Sequence, residues 1–193
     1  MRLALLVALA LVAPPLPAYA AVQPGQRPPA APAPALPDGA HDFDFEFGDW
    51  TARIARRVKP LTGSNEWVEY QGSSVVRPWW DGAANIGELK VSGTAGTIEG
   101  MSVRLYDPAA RQWRIHWASR SDGQLGAPMI GGFTGDRGEF YNQEMLGNRS
   151  IYVRFIFSGV SPGTRKFRIE QAFSADGGKS WETNWIADFT KID

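Results

Sequence analysis

From His41 onward the apolar residues fall in short runs rich in Val, Ile, Phe, Tyr, Trp and Thr, separated by Gly, Asp, Asn and Pro. No stretch keeps a helical period over a useful length. In RQWRIHWAS, residues 111–119, Trp113, Ile115 and Trp117 share one face, and Arg114, His116 and Ala118 share the other. The runs predict strands near 50–58, 67–76, 86–91, 98–106, 113–119, 128–134, 139–146, 149–158, 166–174 and 181–190. Connections this short suit antiparallel neighbours, because a parallel pair needs a crossover of about a dozen residues or more. A meander of about ten strands hides its edges by closing into a barrel or by splitting into two sheets. The expected architecture is the first, a single all-β antiparallel up-and-down barrel.

Two turns can be read in chemical detail. LGNR, residues 146–149, puts Gly147 and Asn148 at the centre of a two-residue hairpin, where positive φ is required. Pairing Leu146 with Arg149 sets Glu144 opposite Ile151, Asn142 opposite Val153 and Phe140 opposite Phe155. The face carrying Phe140, Asn142, Glu144, Ile151, Val153, Phe155 and Phe157 is the apolar one and should point inward. Asn142 and Glu144 then look like orienting contacts for a ligand in an apolar cavity. The plainer alternative is a rim glutamate satisfied by a neighbour or by water. The second turn, SADGGKSW at 174–181, fits the S-x-D-x-G-x-x-W pattern of an Asp-box through Ser174, Asp176, Gly178 and Trp181. There the Asp176 carboxylate can accept backbone N–H bonds while Trp181 packs beneath. The motif occurs once, with no period of 40 to 50 residues, so it reads as a hairpin clasp.

The first forty residues lack any strand pattern. Met1-Arg2, the apolar run Leu3 to Val12 and Ala18-Tyr19-Ala20 make a secretory signal peptide over 1–20, with cleavage expected after Ala20. The run is too short to cross a bilayer, so no transmembrane segment is expected. Residues 21–40 hold six prolines and form an expected Pro/Ala-rich disordered linker, leaving 41–193 as the barrel domain. The expected location is periplasmic or secreted. Removing Arg2 with the leader leaves 19 basic against 20 acidic residues, which gives no electrostatic reason to expect nucleic acid. With no cysteine the core alone must hold the fold, and thiol chemistry is excluded. Two histidines, His41 and His116, are too few for a histidine-rich zinc site, and no metal is expected.

FDFEFGDW, residues 43–50, precedes the first strand and ends in Gly48-Asp49-Trp50. It resembles the G-x-W signature that opens the first strand of calycins, the superfamily of lipocalins and fatty-acid-binding proteins. The resemblance implies a calycin-like barrel with a short helical turn before the first strand. It also implies that Trp50 plugs one barrel end, with Phe43, Phe45 and Phe47 covering the base. HDFDFEFGDW, GSNEWVEYQGSSVVRP, GEFYNQE and QAFSADGGKSWETNW are similar to an uncharacterised family of secreted bacterial proteins with such barrels. Against true lipocalins there is no T-D-Y motif, no disulfide and no arginine on the final strand to stack on Trp50.

Enzyme chemistry finds no constellation. Ser73-Ser74 lacks a nucleophile elbow, and no phosphate-cradling glycine loop opens a helix. His116 is a candidate ligand contact on the polar side of its strand. Small barrels similar to this one bind haem through a histidine near the C-terminus, which this chain does not have, and no cofactor is expected. The reading is a non-catalytic binder of a small, mostly apolar molecule. The alternatives are a hydrolase or isomerase using Glu144 with a second interior carboxylate or His116, and an interaction module with a filled barrel. A cavity above about 300 Å³ separates the binder from the filled module.

Overall fold

The computed structural model describes residues 38–193. Ten strands follow one another along the chain. They are β1 (Gly48–Arg57), β2 (Trp67–Trp79), β3 (Ala84–Gly93), β4 (Gly96–Asp107), β5 (Gln112–Ser119), β6 (Met129–Thr134), β7 (Arg137–Leu146), β8 (Arg149–Ser158), β9 (Lys166–Ser174) and β10 (Glu182–Lys191). Each pairs antiparallel with its sequence neighbour, and β1 pairs with β10 from Trp50↔Lys191 to Arg56↔Trp185, closing the barrel. Closure gives every strand a neighbour on both sides, so the sheet has no free edge strand. The β7–β8 hairpin pairs Leu146 with Arg149 and Glu144 with Ile151, the register counted from the Gly147-Asn148 turn.

The barrel turns its corners where side chains would obstruct them. A Cβ on Gly131 would lie 1.9 Å from the Glu139 carbonyl oxygen of the facing strand, so β6 can approach β7 this closely only with glycine there. The thinnest seam is β5–β6, with pairs only from Trp113↔Gly131 to Ile115↔Met129. Beyond it the 120–128 loop returns through a lone Ala118↔Leu125 bridge.

Two 3-10 turns, Gly39–His41 and Asp44–Glu46, cross one end before β1. Trp50 and Phe43 are fully buried there. Phe43 meets Trp113 and Phe133 edge-on, each at 4.9 Å, and Phe45 meets Phe167 edge-on at 5.3 Å. Such edge-to-face pairs add to burial because the positive ring edge meets the negative ring face. The Trp50 indole donates to the Glu46 carbonyl at 2.6 Å, and the Lys191 ammonium sits 4.5 Å from the Trp50 ring centroid. Lys191, on the last strand, is the cation over Trp50, in place of an arginine. Phe47 departs from the expected plug: half-buried, it lies beside Trp79 and Trp80 on a shallow surface pocket.

The signal peptide and most of the linker lie outside the described residues. The fold itself begins three residues before His41. Asp38 caps the first turn, and the Gly39 carbonyl accepts the Trp113 indole N–H at 2.8 Å. Deleting residues 21–37 is therefore expected to leave the melting temperature unchanged, since that composition offers little apolar surface to bury. Extending the deletion through Ala40 should lower it measurably, because a buried indole N–H loses its acceptor. Thermal unfolding of the two truncations checks both statements.

Candidate functional site

Inside the barrel lies a cavity of about 970 Å³. Along β1 the inward residues run Trp50, Ala52, Ile54 and Arg56, from the plug to the opposite end. The cavity has an apolar waist that includes Ile54, Leu89, Ile115, Phe155, Ile169 and Phe189. Its polar lining gathers at the two ends.

The closed end carries a buried charge pair. Arg104 on β4 places Nη1 2.7 Å from Glu46 Oε2, an ion-pair contact out of line for a hydrogen bond, and donates from Nη2 to Oε1 at 3.0 Å. Nη1 also donates to Asn85 Oδ1 at 3.0 Å, and the guanidinium covers the Phe43 ring at 4.8 Å. Both side chains are almost completely buried, at 6% exposure for Arg104 and 2% for Glu46. Burial pushes the Glu46 carboxyl above its ordinary value, while the facing Arg104 pulls it down. Ser74 and Ser102 complete this end, with the Ser102 hydroxyl donating to the Gly87 carbonyl at 3.3 Å. Gly87 stands where its neighbours leave no room for a side chain: a Cβ there would lie 2.9 Å from Ser102 Oγ and 3.4 Å from both Arg104 Nη2 and Val76 Cγ2.

The opposite end is the mouth, lined by Arg56, Glu99, Arg120, Glu144 and Gln171. Arg120 pairs with Glu99 at 2.7 Å. Glu144 accepts from Asn142 Nδ2 at 3.2 Å, and partial desolvation raises its carboxyl above the usual glutamate range against that bond. Asn142 itself is committed to the protein. Its amide also donates to the Ala127 carbonyl at 3.3 Å, and its oxygen accepts the Gln143 N–H at 2.6 Å. Glu144 thus lines the mouth while Asn142 holds it in place. His116 lies away from the cavity. It faces outward beside Val103, and its Nδ1 is 3.0 Å from the Gly126 carbonyl oxygen in the 120–128 loop. Among the described residues no group of three or more His, Asp or Glu is placed to hold a metal ion.

The Asp-box closes the β9–β10 hairpin at the mouth end of the barrel. Ser180 donates to Asp176 through both its N–H (2.9 Å) and its hydroxyl (2.6 Å), and Ser174 donates to Asp176 at 2.7 Å. Gly178, at φ +85°, donates its N–H to Ser174 Oγ at 2.8 Å, and Trp181 lies under the turn with Arg154 4.5 Å over its ring. The hydrogen bonds from Ser180, then Ser174, hold the Asp176 carboxyl far below the usual range. A depressed folded pKa contributes stability above the unfolded value that is lost as pH falls through the folded one. Asp176→Asn is accordingly expected to melt lower than wild type at pH 7, with the gap narrowing below about pH 4. Equal melting temperatures at pH 7 would show that the clasp contributes nothing.

The site's most distinctive pair, Glu46 and Arg104, escapes a reading of the chain. Strand β4 turns Gly100, Ser102 and Arg104 inward and leaves Met101, Val103 and Leu105 on the outer face. That reverses the apolar-inward rule. Its only sequence signal is the lone charge at position 104 between apolar neighbours, where a surface strand would look the same.

No helix among the described residues is long and apolar enough to cross a membrane. No family model matches the sequence, and no curated protein matches it. Among solved structures, the structure of EF1p2_mFAP2b bound to DFHBI is similar at 12% identity and a TM-score of 0.43, over 80% of this chain and 99% of that one. The crystal structure of Rv2717c from M. tuberculosis is similar at 13% identity and a TM-score of 0.51, over 82% of this chain and 99% of that one. At such identity the likeness concerns the fold alone, a closed antiparallel β-barrel of ten strands.

Proposed function

We propose that this protein is a secreted or periplasmic barrel, released by cleavage after Ala20, that binds a small and largely apolar molecule inside its cavity. The observation that carries this reading is the interior volume. About 970 Å³ is in the range of ligand sites and well above what a side-chain-filled barrel leaves, which argues against the filled interaction module. An apolar waist supplies the burial that drives association, and polar groups at the two ends supply orientation.

Native mass spectrometry of protein purified from its own periplasm tests the reading directly, because a retained ligand appears as added mass. Binding of the neutral fluorophore N-phenyl-1-naphthylamine gives an independent measure of an accessible apolar interior. Ala187, fully buried between Ile54 and Ile169 on the cavity wall, offers the matching variant. Ala187→Phe should fill part of the space and weaken the dye by about tenfold or more, while the melting temperature falls by only a few degrees because the added ring enters existing volume. Unaltered dye binding in that variant would place the dye elsewhere.

A further inference from the structure

Resting on that reading of the cavity, we infer that its closed end receives an uncharged polar group, a carboxamide or a comparable carbonyl, in preference to a carboxylate. A buried arginine on a cavity floor invites an anion, since a guanidinium matches a carboxylate in shape and charge. Here that partner is already present. Glu46 faces Arg104 across 2.7 and 3.0 Å, so the floor brings one positive and one negative charge together. Glu46 and Arg104 are the charged side chains lining this end, and the others on the lining, Arg56, Glu99, Arg120 and Glu144, sit at the mouth. Lys191 is near, but its ammonium is taken by the Phe47 carbonyl and the Trp50 ring.

A carboxylate arriving at this floor would be the second anion on one guanidinium, buried beside Glu46 with its water removed. Like charges in low dielectric repel strongly, and an unpaired buried anion carries a heavy desolvation cost. A neutral amide head meets neither penalty. Its carbonyl oxygen can accept from an Arg104 N–H or from a serine hydroxyl, and its N–H can donate to Ser74 or to the Glu46 carboxylate. Glu46, Ser74, Gly87, Ser102 and Arg104 all line the cavity, so a head reaching the floor meets these groups.

Decanamide and decanoate have the same chain and nearly the same head shape but differ in charge, and each can be titrated against bound N-phenyl-1-naphthylamine at pH 8. Wild type should bind decanamide at least tenfold more tightly than decanoate. Glu46→Gln, which keeps the shape and removes the competing anion, should reverse the order. Gly87→Ala removes neither charge but crowds Ser102 Oγ and Arg104 Nη2, the donors offered to the head, so it should weaken decanamide severalfold and shrink the preference even if Glu46→Gln fails to fold. A wild-type preference for decanoate, or a preference unchanged in either variant, overturns the inference. Dye binding that neither probe displaces also overturns it and leaves the cavity reading standing. Failure of the dye itself and of both probes to bind removes the cavity reading and this inference together.

Discussion

Trp50→Ala should lower stability by about 3 to 5 kcal/mol, the range for truncating a fully buried tryptophan with incomplete collapse of the space left behind. The residue is wholly buried, its ring meets Phe167 edge-on at 4.8 Å, and its N–H satisfies the Glu46 carbonyl. Removing it strips Lys191 of its aromatic face and leaves the backbone of the Asp44–Glu46 turn without a donor. For a domain of this size the loss corresponds to a fall in melting temperature of about 10 °C. Trp50→Phe keeps most of the burial and loses the N–H, so it should fall between the two. A Trp50→Ala protein melting within a few degrees of wild type would show that the base closes without its plug.

Arg104→Met should be comparably damaging, at about 3 to 5 kcal/mol, because it leaves a buried carboxyl with no counter-charge. Both partners are nearly inaccessible, so solvent screens little of the effect. The pH dependence has a definite sign. Burial already lifts the Glu46 carboxyl, and Arg104 is the chief group opposing it. Without Arg104 the folded value rises further above the unfolded one of about 4.3, so folding takes up a proton. Such a group contributes most below the unfolded pKa and loses its contribution as pH rises through the folded value. The deficit of Arg104→Met relative to wild type should therefore be larger at pH 8 than at pH 5, as read by urea denaturation at the two pH values. Combining it with Glu46→Leu should recover much of the loss, since an apolar pair of similar volume can replace a buried ion pair. A double variant no more stable than Arg104→Met would mean that the arginine acts through packing on Phe43 and not through charge.

Strands and turns were legible in the chain because they rest on local physics. Alternation, β-branched and aromatic runs, and glycine at positive φ require no knowledge of distant residues. The β7–β8 register followed from the Gly147-Asn148 turn alone and placed Phe155 and Phe157 on the lining with Glu144. Trp50 and Phe43 were singled out by the resemblance of Gly48-Asp49-Trp50 to the calycin opening signature, and both are fully buried. Phe47 did not follow the pattern, since the turn over Asp44–Glu46 ends at Phe47 and sends Glu46 inward in its place.

What the chain decided by itself, then, was the number of strands, their antiparallel order, the hairpin register at 146–149 and the aromatic character of one end. Tertiary structure decided the rest. Only closure of β1 on β10 brings Lys191 over Trp50, and only the wrapped barrel sets Glu46 against Arg104, 58 residues later. Which face of β4 points inward was likewise settled by its neighbours. Asn85 on β3 and Ile115 on β5 are paired with Arg104 and share its side of the sheet, so Met101, Val103 and Leu105 must lie outside. The physical reason is that burial pattern follows the apolar majority, whereas a charge goes inside only where another chain segment brings its counter-charge, and no local window contains that partner.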